Sequence, residues 1–155
     1  MKNYWLIKSE PTCYSIDDLK LDKRAVWSGI RNYQARNFMK QMRLGDSLIF
    51  YHSSATPPAA VGIAKVTKEA YPDATAFDKK DDHFDPKSTK EKPIWENVDI
   101  AFVENFFSPV SLPQIKFDPK LKGIMVAERG SRLSVQPVSK IHFERIQTLG
   151  KKSGV

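Results

Sequence analysis

The residue types best suited to chemistry crowd into one stretch, Trp27-Ser28-Gly29-Ile30-Arg31-Asn32-Tyr33-Gln34-Ala35-Arg36-Asn37. An indole or a phenol offers a plane on which a base stacks, Asn and Gln pair with a base edge through two hydrogen bonds, and Arg forks onto phosphate or guanine. The stretch also starts a helix, whose first free N–H groups favour an anion. Taken alone, Trp27 reads as a core residue; in this company a ligand-facing role stands beside it, and both readings stay open. Lys8 and Glu10 project from one side of an N-terminal strand while Ser9 points the other way. A Ser–Lys nucleophile pair is therefore geometrically poor, and an ion pair at a strand end is the plainer reading of Lys8 and Glu10. His52 follows an apolar strand and reads either as a histidine satisfied at the strand end or as a ligand contact. His52, His83, His142 and Cys13 share no metal-ligand spacing, so no metal site is expected. Neither a G-x-G-x-x-G nor a G-x-x-x-x-G-K-[ST] string occurs, and no cofactor is expected. Gly130-Ser131-Arg132-Leu133-Ser134-Val135-Gln136-Pro137 is a second polar cluster. A turn with hydroxyl-bonded backbone or a ligand contact through Arg132 would each explain it.

These residues have to be positioned by strands and helices in mixed order. Tyr4 to Lys8 reads as a strand, with Pro11 just past its exit. Ser15 caps a short helix carrying Asp17 and Asp18 in its first turn, and Ala25-Val26-Trp27 is a brief strand. Between Arg31 and Arg43, Ala35, Phe38, Met39 and Met42 fall on one helical stripe. The other side of that helix carries Tyr33, Arg36, Asn37, Lys40 and Arg43, with Gly45 expected to end it. Ser47 to Tyr51 and Ala59 to Val66 are apolar enough to be central strands. Residues 71–93, dense in Asp, Lys and Pro, predict a long surface excursion. A strand over Trp95 to Phe107, a capped helix start at Ser111-Leu112-Pro113 and a helix capped by Ser139 and closed by Gly150 complete the chain. The fold class is α+β, a curved or closed sheet with peripheral helices.

Subtracting 18 acidic from 25 basic side chains leaves a formal charge of +7 on 155 residues with 41% apolar content. This describes one compact soluble domain over residues 1–150 with a short basic tail at 151–155. The lone Cys13 forbids an internal disulfide and suits a reducing compartment, and no run approaches a membrane span. Secretion and membrane partners are not expected. The basic balance suits a polyanion, nucleic acid first.

Five strings together resemble the EVE domain family, in that family's order and across nearly the whole chain. They are Trp5-Leu6-Ile7-Lys8-Ser9-Glu10-Pro11, Trp27 through Asn37, Phe50-Tyr51-His52-Ser53, Glu69-Ala70-Tyr71-Pro72-Asp73, and Ser131 through Val138. The resemblance implies a PUA-like fold, a small mixed or antiparallel β-barrel flanked by helices. It also implies kinship with YTH domains, readers of methylated adenine in RNA, where a tryptophan before a small polar residue walls an aromatic base pocket. Val26-Trp27-Ser28 is similar in kind and place, and Tyr33, Tyr51 or Trp95 would supply a second aromatic wall.

The expected function is non-catalytic reading of a single-stranded or extruded base of DNA or RNA, a modified one. Trp27 would stack, Ser28, Ser9, Asn32 and Gln34 would meet the base edge, and Lys8, Arg31, Arg36 and Arg132 would hold the backbone. Tyr33, Tyr51, His52 and Ser53 complete the candidate set. The alternative is a hydrolase acting on a modified nucleoside or small amide, with Lys8 and Glu10 as acid and base; such activity is known among PUA-like relatives. The expected compartment is the cytoplasm of a bacterium or the nucleus of a eukaryote.

Overall fold

Alternating apolar side chains draw the chain into one mixed sheet, described by a computed structural model over residues 2–152. Its strands are β1 (Tyr4–Ser9), β2 (Arg24–Trp27), β3 (Ser47–His52), β4 (Ala59–Pro72), β5 (Glu96–Ser111) and β6 (Val135–Val138). Its helices are α1 (Ile16–Asp22), α2 (Tyr33–Gln41), α3 (Leu112–Phe117) and α4 (Lys140–Lys151). The strand order is β2-β5-β4-β3-β1-β6. β1 runs parallel to β3 and antiparallel to β6, while β3, β4, β5 and β2 pair antiparallel in turn.

The sheet curls strongly. In a flat sheet β2 and β3, three places apart, would lie about 14 Å from each other. Instead Trp27 of β2 meets Phe50 of β3 edge-on with ring centroids 5.5 Å apart. Register shifts along the β4–β5 pair supply bends of the kind that allow this. The period-two alternation then sorts side chains between two cores. Trp5, Ile7, Leu48, Phe50, Val66 and Ile100 fill the concave side together with Ala35 and Met39 of α2 and Met42 just past its end. Leu6, Ile49, Ala60 and Ile63 face the convex side, covered by α3, α4 and the segment through Val126. Buried Asp46 ties β1 to the end of α2, accepting from Trp5 Nε1 (3.0 Å) and the N–H of Arg43 (2.9 Å).

Local signals placed several of these elements well. Ser15 and Asp18 form a reciprocal capping box at α1, and Ser111 and Ser139 cap α3 and α4 as expected. Helix α2 is shorter than its apolar stripe, because Asn32 caps it and Met42 is already extended. Gly45 is left-handed but lies beyond that cap, in the following turn. Gly150 does not close α4: it is buried inside the helix, where a Cβ would come within 2.4 Å of the Phe106 ring. Strand β6 lies in the polar cluster that suggested only a turn or a contact. Helix α4 reaches Lys151, and residues 153–155 of the expected tail lie outside the described residues.

Candidate functional site

Curling of the sheet leaves an open cavity of about 580 Å³ beside β2. Its walls come from the exit of β1 (Lys8, Ser9, Glu10, Cys13 and Tyr14), from β2 and its continuation to Ile30, from His83, and from Ser134 ahead of β6. Trp27 is neither sealed in the core nor bare. Its half-buried ring packs edge-on against Phe50 and, at 6.1 Å and 67°, against Tyr14, and it also lines the cavity. Tyr14 is the second aromatic wall, which nothing in its sequence surroundings signals. Its hydroxyl donates to Asp22 (2.7 Å), and burial together with that carboxylate pushes the phenol pKa up.

The polar groups of the cavity fall into two sets. Ser28 is exposed and lines the wall. Ser9 is buried and donates to the carbonyl of Tyr14, which fixes the β1 exit loop. Lys8 donates to the carbonyl of Ser131 (3.2 Å), and burial lowers its pKa from the ordinary 10.5. Glu10 and Cys13 stand exposed at the rim.

One wall is a loop that the sequence leaves as a surface excursion. Residues 73–95 do lie over the surface, mostly exposed or half-buried, and they are pinned to it through Asp73, whose side chain has no exposure. Its carboxylate accepts from the N–H of Gly29 (2.8 Å), from Arg31 (3.1 Å), and from the N–H (2.9 Å) and hydroxyl (2.6 Å) of Thr75. Burial pushes the Asp73 pKa up, but these donors outweigh it and hold the carboxyl below the ordinary 3.8. Gly29 is needed here on two counts. Its φ is +82°, and a Cβ would come within 2.8 Å of the His83 ring.

Arg31 also donates to Thr75 Oγ1 (3.0 Å) and to the carbonyl of His83 (2.9 Å). It is therefore bound up in holding the loop and does not line the cavity. Arg36 is likewise engaged, donating to the carbonyl of Ile94 (2.9 Å) and lying over the Tyr33 ring at 5.1 Å. Tyr33 stacks on Trp95 (4.9 Å, 28°), whose indole N–H donates to Asp85 (2.7 Å). That pillar braces the far end of the loop rather than walling the cavity.

The remaining expected site residues lie elsewhere. Tyr51 points to the convex core, 2% exposed, and burial pushes its pKa up to about 12. The alternation of β3 that faces Phe50 inward sends Tyr51 outward. His52 accepts the N–H of Ile16 (3.0 Å) at the start of α1, so it is satisfied within the fold. Asn32 Oδ1 accepts the N–H of Ala35 (3.0 Å) as the helix cap. Gln34 is exposed on α2, Ser53 gives its N–H to the carbonyl of Ser9 (3.0 Å), and Arg132 is exposed on a different hollow. Of the expected set, the cavity brings together Lys8, Ser9, Trp27 and Ser28, adding Glu10, Tyr14 and His83. Among the described residues no group of three or more His, Cys, Asp or Glu is placed to hold a metal, and no helix is long and apolar enough to cross a membrane.

A family model described as the EVE domain matches residues 3–149. Thymocyte nuclear protein 1 of Gallus gallus is 42% identical over 165 residues, covering 94% of this chain and 68% of that protein. A solved Pseudomonas syringae structure is similar at 45% identity and a TM-score of 0.91, covering 95% of this chain and 99% of that one. The crystal structure of human THYN1 in complex with DNA containing 5-methylcytosine is similar at 37% identity and a TM-score of 0.90, covering 98% of this chain and 99% of that one.

Proposed function

This chain belongs to the EVE domain family, and from that premise we propose that it binds nucleic acid without catalysis and reads a modified base in the Trp27 cavity. The observation that carries the proposal is the placement of Trp27. Its indole, steadied by Phe50 and Tyr14, borders an open space of about 580 Å³, inside the range of small-ligand sites. The human relative crystallised with methylcytosine DNA supports the choice of ligand.

Energetics favour a base that is already unstacked. Extrusion from a duplex costs a few kcal/mol, and stacking on one aromatic returns about 1–3 kcal/mol, so one tryptophan roughly breaks even. Burying a single methyl adds only about 0.8 kcal/mol, near fourfold in affinity. Stronger discrimination has to come from the shape of the wall, where Tyr14, Gly29 and His83 set the space left for a substituent.

The test is a titration of fluorescent oligonucleotides carrying methylated, hydroxymethylated or unmodified cytosine and adenine. Trp27→Ala is expected to weaken the preferred ligand by about tenfold, within the range for one lost stack. Equal binding by the variant and the wild type would remove the stacking role. Lys8 and Glu10 both line the same cavity, which sustains hydrolysis as the second reading. Turnover of a free modified nucleoside that vanishes in Lys8→Ala would establish that reading, and binding without product would reject it.

A further inference from the structure

Of the three arginines that the sequence assigns to a nucleic-acid backbone, only Arg132 is left for it. Arg31 and Arg36 spend their guanidinium groups on the 73–95 loop. A group of exposed cations lies past the Ser131 to Ser134 edge of the cavity. A larger hollow of about 930 Å³ runs between α3 and residues 119–132, with Lys116, Lys122, Arg129 and Arg132 along it. Its acids do not cancel that charge. Asp118 is paired with Arg145 from α4 at 2.8 and 2.9 Å, which leaves Glu128 alone against four cations. At the lip, Phe117 is 87% exposed, its ring face open to a ligand.

Hollow and cavity are neighbours. Ser131, on the wall of the hollow, accepts the hydrogen bond from Lys8, which lines the cavity. Ser134, a few residues on, lines the cavity too. A strand whose base enters beside Trp27 can therefore run on from the cavity, past Ser131, to this cluster of exposed cations.

Building on the base-reading function of the Trp27 cavity, we propose that this hollow holds the DNA strand flanking the bound base. Lys116, Lys122, Arg129 and Arg132 neutralise its phosphates, and Phe117 stacks a neighbouring base. Charge complementarity selects a polyanion, and the exposed ring distinguishes a strand with unpaired bases from a simple anion.

The experiment compares single-stranded DNA of three and of eleven nucleotides, each with one central 5-methylcytosine, on the full chain. The wild type is expected to bind the longer strand at least tenfold more tightly. Lys122→Gln with Arg129→Gln, and separately Phe117→Ala, should each erase about fivefold or more of that gain. Both should leave affinity for the short strand intact, which also certifies that the variants fold. The double variant should lower the slope of log affinity against log salt by about 1.4, the value for two single-strand phosphate contacts. An eleven-nucleotide strand that gains nothing over the short one would overturn the proposal. So would variants that match the wild type in affinity and salt slope while Trp27→Ala is weakened, which leaves base reading standing. If Trp27→Ala instead binds both lengths as the wild type does, base reading fails, and the flanking-strand assignment built on it falls too.

Discussion

At His52, a ring once readable as a ligand contact turns out to secure a helix. Because Nε2 accepts the N–H of Ile16 (3.0 Å), the neutral tautomer carries its proton on Nδ1, an assignment made from the hydrogen bond. Burial lowers its pKa from the ordinary 6.5, against the opposing pull of Asp17. The sign follows from linkage: below about pH 6.5 the unfolded chain takes up a proton that the folded ring resists. The stability due to His52 is thus full above that point and is lost as pH falls toward the folded pKa. Urea midpoints measured from about pH 7 down to about pH 5 should drop more steeply for the wild type than for His52→Gln; equal slopes would remove His52 from the account. Asp73 acts at the same scale with more force. Removing one partner of a buried, hydrogen-bonded pair costs about 3 kcal/mol at the low end of its range. Arg31 is only partly buried, which argues for that low end. Asp73→Ala and Arg31→Ala should each show this loss in urea denaturation, and the double variant should lose clearly less than the sum. Additive losses would mean that the two side chains stabilise the fold independently.

At the scale of elements, the entry to α2 separates a structural residue from a ligand contact. Asn32 caps the helix through the N–H of Ala35. Asn32→Ala should therefore cost about 1 kcal/mol, Asn32→Asp should cost little, and both should bind oligonucleotides like the wild type. A selective loss of binding in Asn32→Asp, with stability kept, would return the side chain to the base edge. Elements of this kind were legible in the sequence because their signals are local. The capping serines, the stripe on α2 and the apolar runs of β3 and β4 all act within one turn or one strand. Strand β6 was hidden because Pro137 breaks its run, and the structure resolves this by placing β6 at the sheet edge, where a missing N–H is tolerated. The docking of residues 73–95 was illegible for a different reason. Asp73 finds its donors Gly29 and Arg31 at separations of 44 and 42 residues, so the loop's polarity shows that it is exposed in sequence but not what it closes on. Gly150 looked like a helix stop because only the distant Phe106 ring reveals why it has no side chain.

Across the whole molecule, curling converts these separate pieces into one site. The cavity joins the exit of β1, the end of β2, His83 and Ser134, regions that only the curled sheet makes adjacent. It also explains why a formal charge of +7 was a weak guide to position. Charge summed over a chain does not distinguish cations spent inside the fold, such as Arg31 on Asp73 and Arg145 on Asp118, from those left for a partner. The same assembly supplies a reporter. Cys13 is the only cysteine of the chain, it is exposed, and it lies on the cavity wall with Trp27. A ligand that fills this cavity shares it with the thiol. Alkylation of Cys13 by a bulky maleimide, followed by mass spectrometry, should slow by about tenfold or more at a saturating oligonucleotide concentration, set at about 100 times Kd so that the free state is scarce. In Trp27→Ala the same concentration should protect far less, because occupancy falls with affinity. Undiminished alkylation of the wild type under saturation would place the bound base away from this cavity, whatever the affinity measured.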